Sequence, residues 1–160
     1  MKKFLCAVLA LTLALSLAAC GGASTPAEPK DYVQIIADTR TGDDAEIEIV
    51  TTPEEDTFGM MELYGLDPAW MERYAVSISP INMRAYGVMI VLPTEEGRED
   101  AKAAMQGFIQ QQAATFESYL PDQFAIAEAA QLVDGAGGEL VLVMCEDSDA
   151  VTEQILKALK

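Results

Sequence analysis

The sequence predicts an α+β fold, in which an antiparallel sheet of about four strands is packed by helices in the order ββα-ββα, after short N-terminal helices. Two features of the second half of the chain predict it. Apolar runs occur there in two pairs, and a turn-forming segment separates the runs of each pair. Each pair is followed by a segment in which apolar residues recur every three or four positions, as in an amphipathic helix.

The first strand pair lies between residues 74 and 92. Residues 74–79 alternate in polarity, so every second side chain of this strand is expected to face the core. A turn around Pro80 leads to residues 85–92, which are almost continuously apolar. Such a run is typical of a strand that is buried on both faces.

A long helix is predicted next. Thr94 is expected to cap it, and Glu95 and Glu96 open it, because negative charge is favoured at a helix N-terminus. Pro121 ends or kinks this helix, and residues 125–130 form a shorter one. The core-facing stripe of the long helix comprises Ala101, Met105, Phe108, Gln112, Phe116 and Leu120.

The second strand pair consists of residues 131–133 and 140–145, joined by the glycine-rich loop 134–138. Asp147 or Ser148 then caps a final helix. The inward side chains of this helix are Val151, Ile155 and Leu159.

The first half of the chain is less regular. A short helix is predicted from Asp31 to near Gly42. Residues 43–50 are ambiguous, since their alternation favours a strand and their acidic neighbours are typical of a turn. Pro53 and the three acidic residues after it suit the first turn of a helix. The residues of this segment expected to face the core are Phe58, Met61, Leu63 and Tyr64.

The first residues predict export. Two lysines precede the apolar run 4–17, which is the layout of a secretory signal and is too short for an ordinary membrane-spanning helix. Residues 17–20, Leu-Ala-Ala-Cys, resemble the lipobox of bacterial lipoproteins. We therefore predict a signal peptide at residues 1–19, and plain secretion with an unmodified Cys20 is the alternative.

Removal of this signal peptide would leave a lipidated linker and one domain. Cys20 is predicted to carry lipid, including palmitate, and residues 20–30 form a flexible linker rich in small residues and proline. Residues 31–160 are predicted to form a single domain. The lipid on Cys20 is expected to hold this domain at the extracytoplasmic face of the cell membrane.

Composition excludes several classes of function. The formal net charge is −16, and cleavage would remove two lysines and no carboxylate, so nucleic acid is not an expected partner. The chain has no histidine, which excludes the usual catalytic triads and most zinc sites. Cys145 is the only cysteine beyond the predicted lipid site, so no internal disulfide is expected.

Three acidic clusters are candidate cation sites, at residues 43–48, 54–56 and 146–149. Calcium takes about six to eight oxygen ligands, and none of the clusters has the spacing of a calcium loop. We interpret all three as solvated loops and helix starts. No metal ligand and no cofactor is therefore predicted.

Other candidates are also interpreted as structural. Cys145 is expected to be a buried, inert thiol, with a reactive thiol as the alternative. Trp70, Tyr74 and Tyr86 are expected in the core or at the sheet edge, with a ligand-stacking surface as the alternative.

Two further segments carry no predicted site. Residues 110–112 are glutamines, which we interpret as a polar face of the long helix. Residues 135–138 lack the spacing and the lysine of a phosphate-binding loop.

Several segments carry a family resemblance. They are residues 63–67 (Leu-Tyr-Gly-Leu-Asp), the apolar strand before Pro93, residues 119–123 (Tyr-Leu-Pro-Asp-Gln) and the strand at 140–145. Together they resemble a family of small bacterial lipoproteins known as domain of unknown function 4358, from about Tyr64 to the C-terminus. The resemblance implies a lipoprotein with an α+β fold. It implies no activity, because none of these segments is a catalytic motif.

The sequence therefore predicts a membrane-anchored, non-enzymatic binding or interaction module, with an envelope protein as a possible partner. A small envelope hydrolase is one alternative, because paired carboxylates can hydrolyse glycosides without histidine. An accessory solute-binding lipoprotein is the other.

Overall fold

The computed structural model describes residues 29–160. The predicted signal peptide, Cys20 and most of the predicted linker lie outside these residues. The helices are Tyr32–Ala37 (α1), Met60–Leu63 (α2), Arg98–Phe116 (α3), Pro121–Glu128 (α4) and Ser148–Ala158 (α5). The strands are Met71–Ile78 (β1), Gly87–Pro93 (β2), Gln131–Asp134 (β3) and Leu140–Met144 (β4). Single 3₁₀ turns occupy Gly42–Glu46, Pro53–Glu55 and Pro68–Trp70.

The four strands form one antiparallel sheet in the order β1-β2-β4-β3. The two hairpins β1–β2 and β3–β4 therefore lie side by side, joined through their second strands. Met89 marks the centre of the sheet, since it pairs with Val76 on one side and with Leu142 on the other. The predicted α+β class and the four-stranded antiparallel sheet are confirmed.

Both faces of the sheet are covered, which is why its central strands are apolar throughout. Along β2, Met89 and Val91 pack on the face covered by α3 and α4. Val88 and Ile90 pack on the opposite face, below α1 and α5. All four side chains are at most 1% exposed, and full burial of such a side chain stabilises a fold by about 1.5–3 kcal/mol.

The helices α3 and α4 begin at different residues from those predicted. Thr94 Oγ1 accepts from the Gly97 amide at 2.9 Å, so residues 95–97 form a turn before α3 instead of its first turn. Gly97 packs on Trp70, where a Cβ would lie 2.5 Å from the Trp70 Cα. Pro121 starts α4, since its fixed φ suits a first helical position. The predicted stripe is confirmed by buried Ala101, Met105, Phe108, Gln112 and Phe116.

The strand favoured for residues 43–50 is wrong except at Val50, which pairs with Val76 on the outer side of β1. Arg40 donates to the carbonyl oxygen of Ile47, which occupies an acceptor that a strand ladder would need. Gly42 adopts a positive φ of 56°, so the chain enters a 3₁₀ turn there.

The helix predicted after Pro53 is divided into a 3₁₀ turn and the short α2. Asp56 ends the 3₁₀ turn. Its carboxylate also caps α2, because it accepts hydrogen bonds from the amides of Met60 and Met61 at 2.8 Å each. Met61 is buried as expected. The expectation that Phe58 and Leu63 face the core is wrong, since they are 57% and 56% exposed.

Candidate functional site

A cluster of exposed apolar side chains lies at one end of the sheet. Leu63, Ile81, Met83 and Tyr119 are 56, 55, 65 and 53% exposed, and they are four of the six large apolar side chains exposed among residues 29–160. Leu63 and Ile81 line one groove of about 140 Å³. Tyr119 donates from its hydroxyl to the carbonyl oxygen of Asn82, between Ile81 and Met83, at 3.1 Å. We call these four residues the apolar surface.

Ile81 and Met83 lie in the β1–β2 turn, residues 79–86, which is held by its own hydrogen bonds. Ser79 donates its amide to the Tyr86 carbonyl oxygen at 3.2 Å. The Ser79 hydroxyl accepts from the Ile81 amide at 3.2 Å, and the Arg84 amide donates to the Ile81 carbonyl oxygen at 3.2 Å. These bonds fix the backbone that presents Ile81 and Met83.

Side chains from two other segments also hold the turn. Gln123 of α4 accepts from the Ala85 amide at 2.7 Å. Arg84 forms an ion pair with Asp44 of the 3₁₀ turn Gly42–Glu46. Partial burial raises the pKa of the Asp44 carboxyl, and the Arg84 charge opposes that shift. A turn fixed in this way loses little further freedom on binding, which favours affinity.

The other wall of the groove is α2, which carries Leu63. Tyr64 fixes this short helix to α3, since its ring meets Phe108 edge-on at 4.7 Å and its hydroxyl accepts from Gln112 Nε2 at 2.7 Å. Burial raises the pKa of Tyr64. Gln112, a member of the predicted core-facing stripe, is buried and lines the groove.

Three carboxylates are close in sequence to Leu63 and Tyr119. Glu62 precedes Leu63, and Glu117 and Asp122 lie on either side of Tyr119 along the chain. All three carboxylates are exposed, and none takes part in an ion pair within residues 29–160. Arg84, the basic residue of the β1–β2 turn, is already paired with Asp44. Of the three carboxylates, Glu62 lines the larger cavity described next.

A larger cavity of about 440 Å³ lies on the opposite side of α2. Met61 and Leu66 contribute apolar walls, and Asp56, Glu62 and Asp67 contribute carboxylates. Two of these carboxylates already accept backbone hydrogen bonds, Asp56 from α2 and Asp67 from the next 3₁₀ turn. The volume of this cavity lies within the range of about 300–1,000 Å³ that small-molecule sites occupy.

The three aromatic residues considered from the sequence do not form one stacking surface. Tyr74 packs with α3 on one face of the sheet, and Tyr86 packs with the residues of the opposite face. Burial raises the pKa of Tyr86 to about 12. Trp70 is half-buried against the same cluster as Tyr74. The expectation of core positions is confirmed for both tyrosines.

Cys145 is buried at the end of β4, as predicted, and is 9% exposed. Burial raises the pKa of its thiol, which favours the protonated form at neutral pH. Ser148 exchanges two hydrogen bonds with the backbone of Cys145, accepting at 3.2 Å and donating at 2.8 Å. These bonds join β4 to the start of α5.

Two of the three acidic clusters, at residues 43–48 and 54–56, have structural partners. Within residues 29–160, no group of three or more Asp, Glu or Cys side chains is placed to hold a metal ion. Asp44 pairs with Arg84, and Asp56 caps α2. Glu55 accepts from the amide of Thr51 at 2.8 Å, which lowers its pKa.

The glycine-rich loop wraps around a buried carboxylate. Glu139 is 3% exposed, and it accepts from the Gly137 amide at 2.8 Å and from the Tyr32 hydroxyl at 3.3 Å. A Cβ on Gly135 would lie 2.6 Å from Glu139 Oε2. The glycines therefore allow the turn to approach this carboxylate closely.

Sequence reasoning missed the apolar surface. The sequence predicts Leu63 in the core and predicts only a turn at residues 80–82. Two large apolar residues, Ile81 and Met83, stand in this turn, where polar residues and glycine are usual. That contrast is the signal by which the sequence indicates the site.

Cys20, the predicted lipid site, lies outside the described residues. None of the helices within residues 29–160 has both the length and the apolar character of a membrane-spanning segment.

A family model described as "Domain of unknown function (DUF4358)" matches residues 45–145. The matched range includes the β1–β2 turn and all four residues of the apolar surface. No curated protein and no solved structure matches the chain significantly.

Proposed function

The chain belongs to the DUF4358 family, and we propose that it is a lipid-anchored extracytoplasmic domain whose apolar surface binds an envelope protein. The anchor in this proposal is lipid on Cys20, and the binding is non-catalytic. The single observation that carries the proposal is the clustering of Leu63, Ile81, Met83 and Tyr119 on a rigid frame.

Exposed apolar side chains in a cluster are the usual mark of an interaction site. Single exposed apolar residues are normal on any protein, whereas contiguous ones rimmed by polar groups indicate binding. Here the turn that carries Ile81 and Met83 is fixed by Gln123 and Asp44. The exposure is therefore built into the fold and is not a property of a loose loop.

The place where the chain enters the fold supports an anchored module. Tyr32, at the start of α1, contacts Glu139 beside the first residue of β4. The β1–β2 turn lies at the other end of the sheet, since Ile78 pairs with Gly87 there. Eight residues of β1 span about 26 Å between these ends. An anchor at the α1 end, joined through the predicted flexible linker, would leave the apolar surface free to contact another protein.

Among the alternatives, the hydrolase finds little support in the geometry. Glu139, at 3% exposure, is the one buried carboxylate within residues 29–160, and its oxygens accept hydrogen bonds from Gly137 and Tyr32. A carboxylate pair for glycoside hydrolysis needs two acids that face each other across a cleft. The larger cavity offers Asp56 and Asp67, both of which serve as backbone acceptors.

Solute binding is a second candidate, because the 440 Å³ cavity has the size and the mixed lining of a small-molecule site. A ligand-observed NMR screen would test it with wild type and Glu62→Trp, which places a large ring at the cavity. Solutes that bind wild type and not Glu62→Trp would support this function. Equal binding by both proteins would reject the cavity as their site.

The anchor is tested by feeding cells an alkyne analogue of palmitate. Wild type should incorporate the label and sediment with membranes, and Cys20→Ala should do neither, because no other residue of the predicted lipobox carries a thiol. Label on Cys20→Ala, or membrane association without label, would contradict the anchor.

The interaction is tested by cross-linking in intact cells followed by purification. Wild type, Cys20→Ala and the double variant Ile81→Ser/Met83→Ser are compared, with Val33→Ser as a matched control on α1, where Val33 is 40% exposed. A cross-linked envelope protein should be recovered with wild type and Val33→Ser, and not with the double variant. Equal recovery with the double variant would reject the apolar surface as the site.

A further inference from the structure

We propose that the groove lined by Leu63 and Ile81 binds a primary carboxamide of the partner protein, the group that ends a glutamine or asparagine side chain. This inference rests on the proposed function, and it adds the chemistry by which the partner is recognised. It follows from two polar side chains, Gln112 and Tyr64, that line this groove.

Gln112 occupies a core position of α3. The stripe that it belongs to is otherwise apolar, and Gln112 is only 8% exposed. A buried amide costs free energy unless its donors and acceptors are paired. Within residues 29–160, its side chain makes one hydrogen bond, from Nε2 to the Tyr64 hydroxyl oxygen at 2.7 Å. The other end of this carboxamide therefore has no partner among those residues.

The unpaired atoms of this couple are open to the groove. Gln112 Oε1 does not belong to the polar atoms of residues 29–160 that are both unpaired and closed off from solvent, as the hydroxyls of Tyr74 and Tyr86 are. The Tyr64 oxygen accepts from Gln112, so its proton remains available, with no acceptor in the same part of the chain. The groove thus presents an acceptor beside a donor.

This pattern does not depend on which way the Gln112 amide is turned. In the reverse orientation Oε1 would accept from the Tyr64 hydroxyl, and Nε2 would face the groove as a donor beside the lone pairs of the tyrosine oxygen. A primary carboxamide carries the complementary donor and acceptor on one edge. A trans peptide has its N–H and C=O on opposite sides, so it cannot bond to both atoms at once.

The other polar residues of the groove are already paired or face water. The Ser79 hydroxyl accepts from the Ile81 amide, and the Thr115 hydroxyl donates to the Gln111 carbonyl oxygen. Asn82 is exposed. The unpaired, buried polar group of this groove is therefore that of Gln112 and Tyr64.

The absence of charge in the lining restricts the occupant further. None of the described residues that line the groove is charged. A carboxylate or an ammonium group would lose its hydration there without a counter-ion. An apolar side chain would displace water and leave Gln112 and Tyr64 unpaired. A neutral group that both donates and accepts has neither cost.

The size of the groove fits one side chain. Its volume of about 140 Å³ equals the liquid volume of roughly five water molecules, and it is below the range of about 300–1,000 Å³ for whole small molecules. Leu63 and Ile81 are more than half exposed and form the mouth, whereas Gln112 is buried at the base. The apolar stem of a glutamine would pack between the first two, with its carboxamide on the third.

The test uses residues 20–160 with Cys20→Ser, which keeps every described residue. The probe is butyramide, which is the glutamine side chain with its Cα, and assigned NMR spectra follow its titration. Butyramide should shift the side-chain amide of Gln112 and the backbone amides of Leu63 and Ile81. Butyrate and butan-1-ol have the same chain length, and they should bind at least about tenfold and threefold more weakly.

Three variants separate recognition from folding. Gln112→Met removes the amide and keeps the length of the side chain, and it should weaken butyramide at least about tenfold. Tyr64→Phe removes only the hydroxyl and should weaken it about three- to tenfold. Gln110→Met is the matched control, as an exposed glutamine of the same helix, and should have less than a twofold effect. The spectra report folding in each sample, and Tyr64→Phe carries the test if Gln112→Met unfolds.

A purely structural role of Gln112 would give a different result, since both variants would then lower stability and leave the affinity of the folded protein for butyramide unchanged. That result would overturn the inference. Equal binding of butyrate or butan-1-ol, or no shift of the groove residues by butyramide, would also overturn it. Wild-type dimers in sedimentation that Ile81→Ser/Met83→Ser abolishes would overturn it in favour of a second copy. If butyramide fails while the double variant still abolishes the cellular cross-link, this inference falls and the proposed function stands.

Discussion

The two hairpin turns of the sheet differ in which side chains they bury and which they expose. In the β3–β4 turn, the charged Glu139 is folded inward and is 3% exposed, held by Gly137 and Tyr32. In the β1–β2 turn, the apolar Ile81 and Met83 point outward and are 55% and 65% exposed. The first turn hides a carboxylate, and the second exposes apolar surface.

Both turns are nevertheless fastened by an arginine. Arg98 of α3 donates to the Gly138 carbonyl oxygen at 2.7 Å and pairs with Asp134, and Arg84 pairs with Asp44. The difference between the turns is therefore not one of order against disorder. On the proposed function, the β3–β4 turn serves the stability of the fold and the β1–β2 turn presents the binding surface.

The largest expected effect is on the β3–β4 turn. Gly135→Ala should lower the free energy of unfolding by about 1–3 kcal/mol, because the new Cβ would meet the buried Glu139 carboxylate at 2.6 Å. Gly107→Ala is the matched control, since this glycine is exposed on α3 with open space around it, and it should raise stability by about 0.5–1 kcal/mol. Urea unfolding measures both. Equal stabilities of Gly135→Ala and wild type would show that Glu139 is not rigidly held.

Replacing either of the two arginines should have an effect of intermediate size on stability. Arg98→Ala and Arg84→Ala should each cost up to about 1 kcal/mol, because both ion pairs are partly exposed. Only Arg84→Ala should weaken capture of the partner, because it releases the turn that carries Ile81 and Met83. Urea unfolding and the cellular cross-link are measured on the same two variants. Equal loss of capture by both would end the functional distinction between the turns.

The apolar surface itself should contribute little to stability. Ile81→Ser/Met83→Ser should change the free energy of unfolding by no more than about 0.5 kcal/mol, because both side chains are already more than half exposed. Chemical denaturation of this variant measures the change. A loss above about 2 kcal/mol would mean that these residues belong to the core, and that the binding tests built on them report unfolding.

The smallest expected effect is the pH dependence of stability that Asp44 causes. Burial raises the pKa of Asp44, so the stability linked to its proton is complete below the unfolded value of about 3.9 and is lost as pH rises through the folded pKa. Asp44→Asn cannot titrate, so its stability relative to wild type should increase as pH rises across that acidic window. Urea unfolding at several pH values measures the difference. A difference that decreases with rising pH would mean that attraction to Arg84 outweighs burial.

The sheet and the long helix were predictable because their patterns are long. Residues 85–92 and 140–145 are apolar on both faces, which two covering layers of helices require. The stripe of α3 repeats over five turns, so its buried face is fixed by sequence. The alternating pattern of residues 43–50 is short, so a local hydrogen bond can outweigh it. Here Arg40 donates to the carbonyl oxygen of Ile47, which a strand would need as an acceptor.

The candidate site was less predictable because the sequence patterns of its elements are short. α2 has four residues, so periodicity cannot assign Leu63 to the inner or the outer side. Its orientation depends on Tyr64, which meets Phe108 and Gln112 of α3, more than forty residues away in sequence. Contacts of this range are not encoded in local spacing. The apolar residues of the β1–β2 turn were visible in the sequence, but only their exposure distinguishes them from core residues.

The central claim is that the apolar surface contacts an envelope protein, and a photo-reactive amino acid at Met83 tests it most directly. Val33 is the matched position, as an exposed apolar residue on α1. Illumination of intact cells should yield a specific cross-linked product from position 83 and none from position 33, and Leu63→Ser should abolish it. Products of equal yield from both positions, or none from position 83, would contradict the account.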